Sequence, residues 1–148
     1  MNCPKCIGKL QKKKLTMYAT SSVVEELQGA GLSQSLEVDQ CFVCGGVWFD
    51  RGELDKYTTE KVTIIDAPSI SKDLDKKLDA KKGKCPRCSV MMKKMPYEKE
   101  PSITIDVCEK CGGIWLDSTE VDRVERANKE KIGFFGLFLK GFQKPQGK

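Results

Sequence analysis

The sequence predicts a small, metal-stabilised α+β protein made of two units in tandem, and three observations predict this class. All eight cysteines fall into four C-x-x-C pairs. The phrase "CGGVWFDRGELD" at residues 44–55 returns as "CGGIWLDSTEVD" at 111–122, and both phrases contain the D-x-x-E pattern that caps a helix. A phrase repeated in this way indicates two copies of one folding unit. Each copy is expected to contain a short antiparallel β-sheet and a capped C-terminal helix.

The cysteine pairs are the first element of each copy, and they are candidate metal ligands. Two C-x-x-C pairs present four thiolates, the donor set of a closed tetrahedral zinc site with Zn–S distances of about 2.3 Å. In the second copy, "CPRC" and "CEKC" are separated by residues 89–107, a usual length for such a site. In the first copy, "CPKC" and "CFVC" are separated by residues 7–40. Alignment of "SLEVDQC" with "SITIDVC" places the extra chain at about residues 20–34, as a loop or a lengthened hairpin.

Three other uses of these cysteines compete with zinc binding. Disulfide bonds need an oxidising compartment, whereas the chain opens on Met-Asn-Cys without an apolar signal region, which favours the cytoplasm, where thiols stay reduced. Catalysis by a C-x-x-C thiolate needs a free sulfur, often at a helix start in a βαβ setting that this sequence lacks. Iron in a rubredoxin-like site uses the same four thiolates and stays an open alternative.

Two glycines and a tryptophan come next in each copy. The glycine pairs at 45–46 and 112–113 let the backbone turn tightly and bring its N–H groups close to the metal sulfurs. Trp48 and Trp115 follow at equal spacing. Because such a small unit has little core, each indole is expected to be the apolar plug beneath its own metal site rather than a binding platform.

A capping box then predicts the helix of each copy. Asp50 and Asp117 are the predicted N-caps, and Glu53 and Glu120 stand at the N3 position, from which a carboxylate reaches back to the cap. An acid–base role for these paired carboxylates is disfavoured, because capping alone accounts for their type, spacing and position.

With these motifs in place, the chain resembles the bacterial and archaeal transcription-factor zinc-finger family named after the zinc ribbon of general transcription factor IIB. The motif, C-P-x-C followed by C-x-x-C-G-G-x-W-hydrophobe-D-x-x-E-hydrophobe, covers about residues 1–57 and 85–125. The resemblance implies two tandem zinc ribbons that each hold one Zn²⁺, and a fold more than an activity. The implied ligands are Cys3, Cys6, Cys41 and Cys44 in the first ribbon and Cys85, Cys88, Cys108 and Cys111 in the second. The long segment in the first ribbon departs from the compact family pattern.

The predicted domain organisation has four parts. These are ribbon 1 at residues 1–60, a partly helical linker at 61–84, ribbon 2 with its C-terminal helix at 85–131, and an apolar, Phe-rich tail at 132–148. Each ribbon is near or below the size at which a hydrophobic core suffices, so folding is expected to depend on the metal.

The linker is expected to contain one short helix. Ser71 is its predicted cap, and the helix is expected to run through Lys82 with Leu74 and Leu78 on one face. This pattern suits a spacer that holds two modules at a set distance, and it suits equally a helix that docks its leucines on a ribbon.

The charge does not by itself predict a nucleic-acid partner. The formal net charge is +5 with neutral thiols, but eight thiolates with two bound Zn²⁺ would leave the folded protein almost neutral. Nucleic-acid binding would therefore rest on local clusters, namely residues 9–14 ("KLQKKK") or Lys93 with Lys94. The simpler interpretation is that these lysines are solvated or offset the negative zinc–thiolate centres.

The tail carries "IGFFGLFLKGF" at residues 132–142, which is too short to span a bilayer. Three placements stay open for it: packing on its own ribbon, docking on a protein partner or a second copy, and lying at a membrane surface.

Together these features predict a cytoplasmic, non-enzymatic module that binds a protein partner, nucleic acid or both, as an adaptor or a transcription-related regulator. The sequence has no histidine to act as base, nucleophile or ligand, and no small-molecule substrate is expected. The alternatives are a membrane-surface or complex-assembly factor that docks through its tail, and an iron electron-transfer protein.

Overall fold

The structure is a computed structural model, which describes residues 1–18, 35–59, 61–62, 65 and 68–128. Over these residues the chain forms a small α+β fold with an antiparallel sheet, three helices and two four-cysteine clusters. The predicted insertion at 20–34 and the tail at 132–148 lie outside the described residues.

The sheet contains seven strands within the described part of the chain. They are β1 (Leu10–Tyr18), β2 (Ser35–Cys41), β3 (Val47–Phe49), β4 (Lys61–Val62), β5 (Lys93–Tyr97), β6 (Glu100–Val107) and β7 (Ile114–Leu116). Their spatial order is β4-β1-β2-β3-β7-β6-β5, and every pair of neighbours is antiparallel. The first four strands come from ribbon 1 and its junction with the linker, and the last three come from ribbon 2.

The two ribbons meet at β3 and β7, where Trp48 lies opposite Trp115. Separate short sheets were expected, and the structure instead joins them into one. The physical reason is that the edge strand of each ribbon, β3 or β7, has N–H and C=O groups on its outer side that need partners. The equivalent edge strand of the other ribbon supplies them. Because the pairing is antiparallel and centred on equivalent residues, the two ribbons are related by an approximate twofold axis.

Two helices directly follow β3 and β7, as the capping boxes predict. They are α1 (Glu53–Thr59) and α3, at residues 118–128. The glutamate half of each box is formed: Oε2 of Glu53 accepts from the N–H of Asp50, and Oε2 of Glu120 accepts from the N–H of Asp117, both at 2.7 Å. The aspartate carboxylates bind a different donor: each accepts the indole N–H of the tryptophan two residues before it at 2.9 Å.

The core lies on both faces of the sheet, because residues alternate sides along each strand. On one face, Val47, Phe49 and Leu116 pack against α1 and α3, which contribute residues such as Leu54 and Val121. On the other face, Trp48 and Trp115 lie in a second cluster together with all eight cysteines. The sheet therefore separates α1 and α3 from the metal-ligand side chains.

The linker contains α2 (Lys72–Ala80), which ends two residues earlier than predicted. Ser71 caps it as expected, since its Oγ accepts from the N–H of Leu74 at 3.2 Å. Leu78 is buried in the cluster of cysteines and tryptophans, whereas Leu74 is exposed. Of the two leucines that were considered for docking, Leu78 therefore docks on this cluster and Leu74 does not. None of the described helices is long and apolar enough to cross a membrane.

Candidate metal centres

The structure brings the four predicted ligands of ribbon 1 together. We call each C-x-x-C turn a knuckle: the first precedes β1, and the second lies at the end of β2. The four Sγ atoms of Cys3, Cys6, Cys41 and Cys44 all lie within 4.8 Å of one another. Sγ of Cys3 is 3.7 Å from Sγ of Cys44, and Sγ of Cys6 is 3.5 Å from Sγ of Cys41. These separations are close to the sulfur–sulfur edge of about 3.8 Å that a tetrahedron with Zn–S of about 2.3 Å requires.

The ligands of ribbon 2 form the same arrangement. The Sγ atoms of Cys85, Cys88, Cys108 and Cys111 lie within 4.8 Å of one another, and those of Cys85 and Cys111 are 3.7 Å apart. All eight cysteines are free thiols, so the disulfide alternative does not describe this structure. A donor set of four converging sulfurs fits Zn²⁺, and Fe²⁺ in a rubredoxin-like site would use the same set.

Backbone N–H groups prepare the knuckles for thiolate ligands. Sγ of Cys3 accepts from the N–H groups of Lys5 and Cys6 at 3.4 Å each. Sγ of Cys85 likewise accepts from Arg87 at 3.3 Å and from Cys88 at 3.2 Å. These donors stabilise negative sulfur, which is the form that binds a metal.

One thiol in each cluster has a lowered pKa. The side chain of Cys44, followed by the backbone donors above, lowers the pKa of Cys3 to about 5. Burial acts to raise the pKa of Cys108, but donors led by the N–H of Cys111 outweigh it and bring the value to about 7. Each cluster therefore contains a sulfur that gives up its proton near neutral pH, as metal binding requires.

The two glycines of each phrase have different roles. Gly45 and Gly112 adopt φ of 77° and 74°, a left-handed conformation that glycine takes without strain, and close the second knuckle with an N–H bond to the carbonyl of Cys41 or Cys108. Gly113, by contrast, makes room for a side chain of the other ribbon.

The tryptophans are buried plugs, and each also packs against a glycine of the other ribbon. A Cβ at Gly113 would overlap the ring of Trp48, and a Cβ at Gly46 would overlap the ring of Trp115. Both indoles are completely buried. Both rings lie in the cluster that contains the cysteines, as a buried plug rather than a binding platform. The contact with the other ribbon was not predicted, and it arises because pairing of β3 with β7 places each ring over the glycine next to the opposite strand.

A buried lysine of the first knuckle bridges to ribbon 2. Nζ of Lys5 lies 2.9 Å from Oδ2 of Asp106 and 3.6 Å from Oδ2 of Asp117, and the lysine side chain is 0% exposed. The same Nζ donates to the carbonyl oxygens of Leu78 at 3.1 Å and Lys81 at 2.6 Å, at the end of α2. We call this set of contacts the Lys5 bridge.

An arginine at the matching position makes the reciprocal bridge. Nη2 of Arg87 lies 2.9 Å from Oδ2 of Asp39 and 2.6 Å from Oδ2 of Asp50, and its Nε donates to Oδ1 of Asp50 at 2.9 Å. Partial burial acts to raise the pKa of Asp50, but the guanidinium lowers it below its usual value. We call these contacts the Arg87 bridge. Each bridge joins the first knuckle of one ribbon to carboxylates of the other.

These bridges were not predicted from the sequence, although the repeat contains a signal for them. A basic residue occupies the third position of both C-P-x-C pairs, and an aspartate stands two residues before the second pair in both copies, in "EVDQC" and "TIDVC". Opposite charges that recur at matched positions of the two copies indicate a pairing between copies rather than solvated surface charge.

A third group of possible ligands, all carboxylates, lies beside the Lys5 bridge. Oxygens of Asp79, Asp117 and Glu120 lie within 4.8 Å of one another. Burial, and then the charge of Asp117, raises the pKa of Glu120 to about 8, so this carboxyl holds a proton at neutral pH. Nζ of Lys94 lies 3.1 Å from Oδ1 of Asp79. Because a proton and two ammonium groups already compensate these carboxylates, we describe them as an ion-pair network.

The predicted basic clusters are partly occupied by acidic neighbours. Lys12 pairs with Glu37 at 2.7 Å, and Lys93 pairs with Glu109 at 3.4 Å. The partners of these lysines and of Lys94 are carboxylates rather than the cysteine clusters that the lysines were expected to offset.

Comparison with known families supports the same assignment. The family described as transcription factor zinc-finger, of the TFIIB zinc-ribbon type, matches residues 25–60 and 84–127. The second segment contains all four cysteines of its cluster, whereas the first contains Cys41 and Cys44 and begins after Cys3 and Cys6. No curated protein and no solved structure matches the chain significantly.

Proposed function

Because the chain belongs to the transcription factor zinc-finger family, its two matched segments together covering more than half of its 148 residues, we propose that it is a non-enzymatic zinc-binding module that binds a protein partner through the knuckles of its first ribbon. The family and the two four-cysteine clusters support the zinc-binding part. The choice of a protein partner rests on the surface of the knuckles.

The metal acts as a structural crosslink in this proposal. When bound, each Zn²⁺ would be held by the four thiolates of one cluster and would fix two knuckles relative to each other. Zinc is preferred to iron because the matching family is a zinc-finger family. A cluster of four cysteines leaves no open position for substrate or water, which supports a role without catalysis.

The observation that carries the protein-binding proposal is an exposed apolar surface on ribbon 1. Ile7 is 100% exposed, Val43 57% and Phe42 47%. A Cβ at Gly8 would lie 2.9 Å from Cγ2 of Val43, so the turn that carries Ile7 abuts the turn that carries the other two residues. We call these three residues the knuckle patch. Contiguous exposed apolar side chains of this kind are typical of interaction sites.

Ribbon 2 provides an internal comparison. The positions that match Ile7, Phe42 and Val43 in the repeat are Ser89, Glu109 and Lys110. The zinc-ribbon fold therefore does not require apolar residues at these positions, and their presence in ribbon 1 needs another explanation. Binding of an apolar segment of a partner protein supplies one.

Nucleic acid is the less supported partner. Bound metal would bring the net charge close to zero, and several cations are engaged in ion pairs or buried, among them Lys5, Lys12, Arg87 and Lys94. Affinity for phosphates rests on available Lys and Arg side chains. A role in transcription is consistent with the family name and stays part of the proposal, as does a cytoplasmic location.

The test compares the full chain with a variant in which ribbon 1 carries the residues of ribbon 2. This variant is Ile7→Ser/Phe42→Glu/Val43→Lys, and the matched control is Glu109→Gln/Lys110→Gln. Proteins retained by each chain from a nuclease-treated host extract are quantified, and the one that distinguishes the chains is purified and its Kd measured. We expect the patch variant to weaken binding at least about tenfold, which corresponds to about 1.4 kcal/mol. The control should bind like the unchanged chain.

Two results would contradict the proposal. One is that every retained protein binds the patch variant and the unchanged chain equally. The other is that the unchanged chain, incubated with a parallel extract that has not been treated with nuclease, retains nucleic acid whose binding weakens steeply with salt and is insensitive to the patch substitutions, because that pattern would show a phosphate-directed surface elsewhere. Metal analysis of the same samples distinguishes zinc from iron.

A further inference from the structure

The Lys5 and Arg87 bridges connect each metal cluster to the other ribbon in the same way. Lys5 lies between the ligands Cys3 and Cys6, and Arg87 lies between Cys85 and Cys88. Because the N–H of each basic residue bonds to the sulfur of the preceding cysteine, the same turn that presents the ligands also places the base of the cationic side chain. A metal that closes the turn would therefore fix the origin of the bridge.

The carboxylates that receive the bridges stand next to ligands of the opposite cluster. Asp106 lies in β6, two residues before Cys108, and Asp39 lies in β2, two residues before Cys41. Asp106 is opposite Trp115 in the sheet, and Asp39 is opposite Trp48. The strand that delivers the third ligand of one cluster is thus held by the first knuckle of the other.

The tryptophan contacts add a second connection in parallel. Gly113, on which Trp48 packs, lies two residues after the last ligand of ribbon 2, and Gly46, on which Trp115 packs, lies two residues after the last ligand of ribbon 1. Each ribbon therefore contacts the other on both sides of its second knuckle. Order imposed on one cluster reduces the conformational freedom of the other.

From this reciprocal arrangement we infer that the two metal sites are coupled: metal bound in one ribbon raises the metal affinity of the other, and Lys5 and Arg87 are the positioning residues that transmit the effect. The coupling has the same magnitude in both directions, because linkage between two binding sites is reciprocal. It concerns metal uptake alone, so it holds whether or not a protein partner binds the knuckle patch.

The two bridges differ in strength. Lys5 and Asp106 are 0% and 1% exposed, whereas Arg87 is 35% exposed. Loss of the Lys5 ammonium would leave the buried carboxylates of Asp106 and Asp117 without their closest cation, with Lys94 at 3.5 Å from Asp106 remaining. Water can partly replace Arg87, which is more exposed. Removal of the Lys5 bridge should therefore reduce coupling more than removal of the Arg87 bridge.

Native mass spectrometry of the full chain at one equivalent of Zn²⁺ per chain measures the coupling directly. Two equal, independent sites would leave about half of the chains with one ion, whereas a tenfold coupling would reduce this species to about a quarter and enrich chains with none or two. We expect at most about a quarter. If half or more of the chains carry a single ion, the sites are not coupled and the inference is wrong.

Variants assign the coupling to the bridges. Arg87→Gln should raise the fraction of chains with one ion, and Arg87→Lys, which keeps the charge, should restore much of the original distribution. Lys12→Gln is the matched control, because it breaks an ion pair between strands of one ribbon and crosses no boundary. Lys5→Met should have the largest effect. Because Arg87 is partly exposed, Arg87→Gln is expected to fold even if Lys5→Met does not. In that case the result for Arg87→Gln decides whether the bridges transmit the coupling. An unchanged distribution in Arg87→Gln would overturn its role.

Discussion

Trp48 and Trp115 lie directly opposite each other where β3 pairs with β7, and each indole covers a glycine of the other ribbon. Both ribbons contribute a strand, a tryptophan and a glycine to the centre of the sheet, so neither ribbon completes this part of the core alone. Even a methyl group at Gly46 or Gly113 would overlap a tryptophan ring, so alanine at either position is expected to destabilise the fold.

Gly113→Ala is expected to destabilise the metal-loaded protein by about 3 kcal/mol, because the new methyl group overlaps the buried ring of Trp48 and neither can move freely. Urea unfolding of the zinc-loaded protein measures the change. Gly52→Ala is the control: Gly52 has φ of 84° with no atom near its Cβ position, so this variant should lose only about 1 kcal/mol from backbone strain. Equal losses in the two variants would show that the ring contact is unimportant.

Removal of the metal is expected to unfold the whole chain rather than one ribbon. The two indoles share a cluster with all eight cysteines, so loss of either cluster exposes both rings. Tryptophan fluorescence should shift to longer wavelength in a single step as a chelator is added, together with the loss of sheet signal in far-UV circular dichroism. Two well-separated steps would show that the ribbons unfold independently.

The stability of the metal-loaded protein should fall as pH rises between about 6.5 and 9, and Glu120→Gln should remove much of this dependence. The pKa of Glu120 is raised from 4.5 to about 8 in the folded protein, so the folded state holds a proton that the unfolded state has lost. This stabilisation is complete below pH 4.5 and disappears as pH passes the folded pKa, a loss of about 1 to 2 kcal/mol over the range. Gln keeps the oxygen that accepts from Asp117.

Glu53→Gln serves as the comparison for this experiment. Glu53 makes the same backbone bond in ribbon 1, and burial raises its pKa too, but its side chain is less buried than that of Glu120. The pH dependence should therefore change less than in Glu120→Gln. If both variants leave the pH profile of the parent unchanged, the raised pKa of Glu120 does not contribute to stability.

Tyr57→Phe is expected to cost about 1 kcal/mol, the usual net value of one hydrogen bond. The hydroxyl of Tyr57 in α1 donates to Glu125 in α3, which makes it another contact between the ribbons. Thermal unfolding measures the loss, and Thr59→Val, which removes a hydroxyl bond within α1 alone, is the matched control. The double variant Tyr57→Phe/Glu125→Gln should cost little more than Tyr57→Phe if the two residues act as a pair.

The sequence was informative where a short segment contains all the partners of an interaction. The capping glutamates, the Ser71 cap and the knuckles follow from residues within a few positions of one another. The pairing of β3 with β7 was not predictable in this way, because three residues carry no register signal and their partner lies 67 positions away. Lys5 was missed for a related reason: a lysine between two cysteines looks like a solvated side chain until the opposite ribbon and α2 enclose it.

The reciprocal packing of the tryptophans and glycines also constrains how this chain can evolve. In a single ribbon, a side chain at position 48 would have to fit only the residues of that ribbon. Here it must also fit the space above Gly113 of the other ribbon. Compatible substitutions must therefore arise in pairs that cross between the copies, 48 with 113 and 115 with 46. The two copies are therefore expected to stay matched at these positions, although their knuckle positions differ, being apolar in one copy and polar in the other.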